Sequence, residues 1–403
     1  MHVLNVSQNY HINGGSDSYM FALEALLNEY EYKCIPFAAK SYKNLESSFD
    51  DFFPASFEDH PFPVNMFSYF YNHQAKSNLT DLLTTEHIDV AHLHIYYGKI
   101  TSSILEVLRK RNIPIIQTLH EYKLACPVYT LERNGEICEK CIKDSTFNCV
   151  KNKCKDGSLG LSIMRYLEFH ISRLLGDIEK IDMFISVSNF HRQKMIEAGI
   201  PSYKVITIHN FIDTNSYQPH YHHRDYALYF GRLENLKGIK TLINAAVESN
   251  TKLLIAGTGN DEIELKEYAS KISTYNLIEF IGFASGEKLK NLIINCKYTI
   301  LPSEWYENCP MSIIESKAYG KPVIGSNIGG IPELINDNQD GFLFEPKSTG
   351  DLVSKMTKLN NLKNYKEFCI NARNDVENRF GKEQHFKTIN DVYKKILNFK
   401  NDY

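Results

Sequence analysis

Strands alternating with helices along the whole chain, in two successive series, predict an α/β protein of two domains, each a doubly wound parallel sheet. Length is the first reason. At 403 residues the chain exceeds what one hydrophobic core usually holds, about 250–300 residues, so two domains are expected. Composition is the second: 43% apolar and 23% charged residues describe a globular chain with enough apolar mass for such cores. The third is pattern. Short apolar runs recur between longer amphipathic stretches, as in βαβ units whose helices cover both faces of a parallel sheet. Each crossover is expected to be right-handed.

The first series places strands at 3–6, 34–37, 90–94, 115–119, 184–187 and 205–208, with helical patterns between most of them, such as 17–29 and 101–111. The second places strands at 227–230, 252–256, 278–281, 298–301, 323–324 and 341–344, again separated by helices. Between the series lies Gln218-Pro219-His220-Tyr221-His222-His223-Arg224-Asp225, read as a solvated linker and not as a histidine metal site. The expected division is 1–218, 219–380, and a last segment 381–403 whose helix, at about 382–399, has no strand after it.

A net charge of −3 gives no general electrostatic reason to expect nucleic acid. No run of eighteen apolar residues is present, so a transmembrane helix is not expected. Met1-His2-Val3-Leu4-Asn5-Val6 turns polar too quickly for a secretory signal and reads as the first strand. A cytoplasmic location with reduced thiols follows as an expectation.

Chemistry concentrates in Pro302-Ser303-Glu304-Trp305-Tyr306-Glu307-Asn308-Cys309-Pro310-Met311-Ser312-Ile313-Ile314-Glu315, directly after the apolar run 298–301. Strand, loop and a helix starting near Pro310 would put Glu307 at the helix mouth and Glu315 over a turn deeper. Open α/β sheets bind ligands outside such strand ends. Free helical N–H groups beside carboxylates suit a polyol that carries phosphate. Glu307 and Glu315, with seven residues between them, resemble the E-x7-E signature of retaining glycosyltransferases of the GT-B fold. Gly320-Lys321-Pro322-Val323-Ile324 and Gly329-Gly330-Ile331-Pro332-Glu333 are similar to further segments of the same family, glycosyltransferase family 4 (glycosyl transferases group 1).

That resemblance implies two Rossmann-like domains facing across a cleft, 1–218 for the acceptor and 219–380 for the donor, with 381–403 crossing back to the first. It implies transfer of a sugar, with retention, from a nucleotide diphosphate sugar (UDP- or GDP-linked) to a hydroxyl on a glycan or lipid-linked acceptor. Capsule, O-antigen or similar polysaccharide assembly is the commonest setting. Rival readings are a nucleotide-sugar epimerase, another GT-B enzyme such as a phosphorylase, or a non-catalytic zinc-stabilised binding subunit.

Gly231-Arg232-Leu233-Glu234-Asn235-Leu236-Lys237-Gly238 puts two cations on one loop after a strand, a clamp for a diphosphate leaving group. The resemblance assigns Arg232 and Lys237 to that role, Glu307 to the transferred sugar with Asn308, Cys309, Pro310 and Met311, and Glu315 to the ribose hydroxyls. Gly14-Gly15, after the first strand and before a helix, matches the family's glycine-rich loop; a tight turn is the plainer reading. Gly257 and Phe283 end strands where the family's nucleotide pocket lies, though strand-ending turns explain them nearly as well. His120 ends the strand 115–119 and is assigned to orient the sugar; Asn210 is assigned to fix the turn between domains. The expected chemistry is same-face attack in which the leaving phosphate takes the acceptor's proton, with no cofactor for catalysis.

Nine cysteines are present, five of them in an insert at 121–157. Cys138-Glu139-Lys140-Cys141 followed by Cys149 and Cys154 resembles a structural zinc site, with Cys126 as a substitute ligand. A polar insert buries little core, and a metal would supply folding free energy. An iron–sulfur cluster, disulfides and unpaired thiols are the alternatives. Peripheral contact with the inner face of the cytoplasmic membrane, through the aromatic stretch 62–71 or Arg109-Lys110-Arg111, completes the expectations.

Overall fold

Apolar runs of four or five residues, buried on both sides, gain hydrogen-bond partners only inside a sheet. In the computed structural model, which describes residues 1–59, 64–273 and 277–401, they do so. The strands are β1 (His2–Val6), β2 (Lys33–Phe37), β3 (Val90–Leu93), β4 (Ile115–Leu119), β5 (Glu132–Arg133), β6 (Glu136–Ile137), β7 (Met183–Ser186) and β8 (Val205–Thr207). They continue with β9 (Ala227–Phe230), β10 (Leu253–Ala256), β11 (Ile278–Gly282), β12 (Tyr298–Leu301), β13 (Val323–Ser326) and β14 (Gly341–Phe344).

Two six-stranded sheets result, ordered β2-β1-β3-β4-β7-β8 and β11-β10-β9-β12-β13-β14. Neighbours pair in parallel in both. Among the described residues only the small hairpin β5–β6 is antiparallel. Strand order reverses beside the first strand of each series, between β1 and β3 and between β9 and β12. At such a reversal the connections leave toward opposite faces and a crevice opens at the carboxyl ends of the strands.

The chain forms two units. Met1–Leu131, Glu139–His209 and His385–Tyr403 make the first; Glu132–Cys138 and Asn210–Gln384 make the second. The division thus falls at Asn210, ahead of the polar stretch 218–225. Side-chain bonds to backbone explain it: the Arg373 guanidinium donates to the carbonyls of Thr214, Tyr217 and Ala318, and Asn210 Nδ2 donates to the Cys309 carbonyl at 3.1 Å. Nor is the polar stretch merely solvated, since Lys321 Nζ donates to the His222 carbonyl at 2.8 Å.

Within the first unit, the closing helix Lys382–Asn401 is fixed from His385 onward by polar and aromatic contacts. Tyr32 donates to Asn390 at 2.6 Å, the Tyr393 hydroxyl bonds His92 Nδ1 at 2.6 Å, and Phe386 stacks on Tyr30 at 3.6 Å. The helix expected at 101–111 covers Ser103–Lys110, because Thr101 sits at φ +69°, outside helical space for an L-residue. Of the stretch 62–71, residues 62 and 63 lie outside the described residues. Val64–Phe70 is a helix with an exposed Phe67.

Candidate functional site

The second unit brings four of the expected residues to the carboxyl ends of β9 and β12, at the reversal of strand order. After β9 the chain makes a short turn over Asn235–Lys237, then enters the helix Ile239–Glu248 through Gly238 at φ +67°. After β12 it runs through Ser303 and Glu307 to the helix Met311–Ala318, whose N-cap Pro310 offers no side-chain cap. First-turn N–H groups of an uncapped helix are a ready site for anions.

Lys237 and Glu307 meet there: Nζ lies 2.6 Å from Oε1, and both side chains are nearly buried. Ser303 Oγ donates to the same oxygen at 3.0 Å, and the ammonium sits 5.5 Å from the Trp305 ring centroid. One carboxylate oxygen is thus fully engaged, while Oε2 has no partner among the described residues. The loop that carries Glu307 is held from behind, where Gly330 N donates to the Glu307 carbonyl at 2.7 Å. Arg232 behaves differently. Its side chain is 70% exposed and reaches only Glu234, at 3.1 Å, so it is free to turn toward an incoming anion.

Glu315 lies a little over two turns of helix beyond Glu307 in sequence, partly buried. Among the described residues nothing bonds its carboxylate, and burial pushes its pKa up to about 7. A carboxyl in that state is short of donors, and a vicinal diol supplies two. The helix beneath is anchored by Lys317, fully buried, whose ammonium contacts Asp340 at 2.9 Å, Asp375 and the Leu334 carbonyl.

Gly257 and Phe283 have clear local reasons. At Gly257 (φ +147°) a Cβ would stand 1.8 Å from the Gly231 carbonyl oxygen, so close approach of two strand-end loops demands glycine there. Its N–H bonds the Gly282 carbonyl at 2.8 Å. Phe283 follows with its ring 70% exposed, an apolar surface beside those loops. Asn308 is partly buried, Cys309 is buried, and Pro310 and Met311 form the helix entry.

In the first unit, Gly14 and Gly15 open the helix Gly15–Glu29 without a side-chain cap. Nothing lies within 4 Å of a Cβ at either position, and Gly14 has ordinary extended backbone. Packing of the protein on itself therefore does not require glycine there. Below the loop, the buried Asp17 accepts from Asn13 N at 3.1 Å.

His120 leaves β4 to join a histidine stack that sequence reasoning did not foresee. Its Nε2 shares a hydrogen bond with His94 Nδ1 at 3.1 Å; His94 stacks on His92 with centroids 4.8 Å apart. Tyr19 sets its ring edge-on to His120 at 5.1 Å and bonds His385 Nε2 at 3.0 Å. Burial lowers His92, His120 and His385 to about 3, so these rings are neutral near pH 7. His92 and His94, two apart around a strand end, lie on one face of the pleat; that spacing was the available signal. Glu121 was also missed. Its carboxylate has no bonded partner among the described residues, and burial raises it to about 7.

Of the insert cysteines, Cys126, Cys141, Cys149 and Cys154 belong to the first unit, and Cys138 closes the β5–β6 hairpin of the second. Among the described residues no helix is long and apolar enough to cross a membrane.

Comparison with known proteins gives the same outline. The model for glycosyltransferase family 4 matches residues 37–216, and that for glycosyl transferases group 1 matches residues 214–375. An uncharacterized glycosyltransferase of Methanocaldococcus jannaschii is 30% identical over 172 residues, 41% of this chain and 44% of the relative. A second from that organism is matched over 60% of its length, so the chain spans about half the length of these curated relatives. Among solved structures, sucrose-phosphate synthase from Thermosynechococcus elongatus superposes with TM-score 0.70 at 16% identity, over 98% of this chain and 99% of that one. Anabaena HepE in complex with UDP-glucose gives 0.65 at 15% identity, over 98% and 100%. The fold is therefore GT-B, two Rossmann-like units with parallel sheets.

Proposed function

The chain belongs to the group 1 and family 4 glycosyltransferases, and on that footing we propose that it transfers a sugar from a nucleotide diphosphate sugar to a hydroxyl acceptor, with retention, in glycan biosynthesis. One observation carries the reading: Lys237 and Glu307 pair at 2.6 Å while the carboxylate of Glu315, on the helix that follows, has no hydrogen-bond partner among the described residues. Diphosphate, sugar and ribose each find a matching group at one strand-order reversal.

The donor diphosphate takes Lys237 and the turning Arg232 as its cations, with the first-turn N–H groups of Met311–Ala318 beside them. Glu307, steadied through Oε1, keeps Oε2 for a hydroxyl of the transferred sugar. Glu315 accepts from the ribose diol. As the glycosidic bond to phosphate breaks, negative charge grows on the leaving oxygen. Fixed cations stabilise that charge without reorganisation, which is the main catalytic term. The same phosphate takes the proton of the attacking hydroxyl, so attack and departure share one face and no catalytic metal is needed. His120, neutral, serves as a hydrogen-bond partner and not as an acid. UDP is the proposed nucleotide, since a protein of like fold was solved with UDP-glucose.

Thermal-shift screening of UDP- and GDP-sugars finds the donor, and NMR of the product gives the anomer. An inverted product, a requirement for added divalent metal in the still-folded protein, or an epimerised sugar nucleotide with no transfer would each refute the corresponding part.

A further inference from the structure

A surface helix ordinarily turns its charges outward and its apolar side chains inward. In the first unit the helix Leu159–Leu174 does the reverse. Glu168 is buried and accepts from Lys123 at 2.7 Å, Tyr69 at 2.6 Å and Arg165 at 3.2 Å. Arg173 donates to the carbonyls of Leu124 and Ala198 at 2.9 and 3.2 Å. Those three are the helix's only Asp, Glu, Lys or Arg residues, and all of them are turned to the protein. The outward side is left to Ile163, Leu167 and Leu174, whose spacing puts them on one face. Leu167 is 43% and Leu174 87% exposed, and Leu159 in the first turn is exposed as well. An apolar surface of this kind on a folded unit marks a docking site.

Both flanks add to it. On one lies the helix Val64–Phe70, joined through Tyr69 to Glu168 and Arg165, with Met66 and Phe67 exposed. On the other lies the insert. Thr146 Oγ1 bonds His170 Nε2 at 2.9 Å, Phe147 sets an exposed ring edge-on to Tyr166 at 5.8 Å, and Lys155 N donates to Ser162 at 3.0 Å. Residues 139–157 hold five lysines against three acids, a net charge of +2 where the whole chain has −3. Glu139 and Asp156 are engaged by Lys143, Lys194 and Lys155. The exposed Lys140, Lys151 and Lys153 make no ion pair among the described residues. Arg109-Lys110-Arg111 is a poorer source of free charge, because Arg109 is held by Asp182 and Lys110 by Glu106.

We infer that this face seats the first unit on an anionic lipid surface. Its apolar side chains enter the boundary between headgroups and acyl chains, and Lys140, Lys151 and Lys153 rest against lipid phosphates. Charge selects this occupant. A second copy of the chain would bring the same uncompensated lysines to the rim and no counterions, whereas an anionic bilayer supplies an apolar layer and the missing negative charge together. The helix lies on the surface and does not cross it, since 16 residues fall short of the roughly 20 that a span needs.

Co-sedimentation of the full chain with lipid vesicles tests this. Wild type is expected to pellet with vesicles containing phosphatidylglycerol, to stay in solution with pure phosphatidylcholine, and to be released by salt. Leu167→Asp combined with Leu174→Asp should abolish pelleting, and Lys151→Ala or Lys153→Ala should each weaken it about fivefold. Ile263→Asp, at an exposed isoleucine of the second unit, should pellet as wild type does. Lys151 and Lys153 are exposed and unpaired, so their variants should fold and decide the matter if the double variant melts early. Wild type left in solution by phosphatidylglycerol, salt-insensitive binding to both kinds of vesicle, or face variants that pellet like wild type would each overturn the assignment. So would a dimer in sedimentation velocity that Leu167→Asp dissociates, since the face would then belong to a second copy. Vesicle binding is read without substrate, so its failure leaves the donor site untouched.

Discussion

Lys237 is already neutralised by Glu307 before any diphosphate arrives, whereas Arg232 is held by one exposed carboxylate. The two cations should therefore fail differently. Lys237→Ala removes the clamp and leaves Glu307 without its cation, so kcat should fall about 100- to 1,000-fold, the usual loss for one charge-stabilising donor. Arg232→Ala should also lower kcat by orders of magnitude, with the melting temperature unchanged because its side chain packs against little. Near-normal turnover in both variants would remove the proposed mechanism. Glu315 offers a pH test. Its pKa is raised above the unfolded value, so between about 4.5 and 7 the folded state holds the extra proton, and the contribution of this group to stability falls as pH rises. A charged carboxylate is the better acceptor for a diol, so donor affinity should rise through pH 7. In Glu315→Gln the rise in donor affinity should disappear, and so should this group's share of the pH dependence of stability, as titration calorimetry and denaturation of variant against wild type at pH 5 and 8 would show.

The helix Met311–Ala318 carries Glu315 on a base of buried charge. Lys317 contacts two aspartates and a carbonyl inside the second unit, and removing one member of such a set strands the others. Lys317→Ala should lower stability by about 3–5 kcal/mol, read from the denaturant midpoint; a change under 1 kcal/mol would mean the network is dispensable. The loop after β9 depends on Gly238 instead. A Cβ there would stand 1.9 Å from the Pro302 carbonyl oxygen at a φ of +67°, so Gly238→Ala should cost more than about 1 kcal/mol and weaken donor binding by displacing Lys237. At this scale much was legible. Apolar runs gave the strands within a residue or two, and the order strand, Gly231 to Gly238, helix gave the cationic loop. Thr101 was not legible as a helix boundary, because its left-handed φ is set by tertiary bonds: Asn72 N donates to its hydroxyl at 2.9 Å.

Each unit carries its own vulnerability. In the first, the buried His92 and His385 have pKa values lowered to about 3, below the unfolded value near 6.5. Between those limits the unfolded chain binds more protons, so stability rises with pH and is lost as pH falls below about 6.5. The slope is about 1.4 kcal/mol per pH unit for each such ring. The buried His92, His120 and His385 outnumber Glu121 and Asp177, whose raised pKa values act in the opposite sense, so acid should unfold the first unit before the second, and hydrogen exchange resolved by segment would show it; simultaneous loss of both would contradict the assignment. The sequence alone determined the alternation of elements, the two parallel sheets and the residue types at the strand ends, because periodicity and turn chemistry are local properties of the chain. Tertiary structure alone decided that Asn210 begins the second unit, that Ser303 steadies Glu307, and that His120 joins a stack of histidines. Those pairings unite residues that are far apart along the chain or turned by the backbone, and no spacing rule encodes which buried polar group will satisfy which.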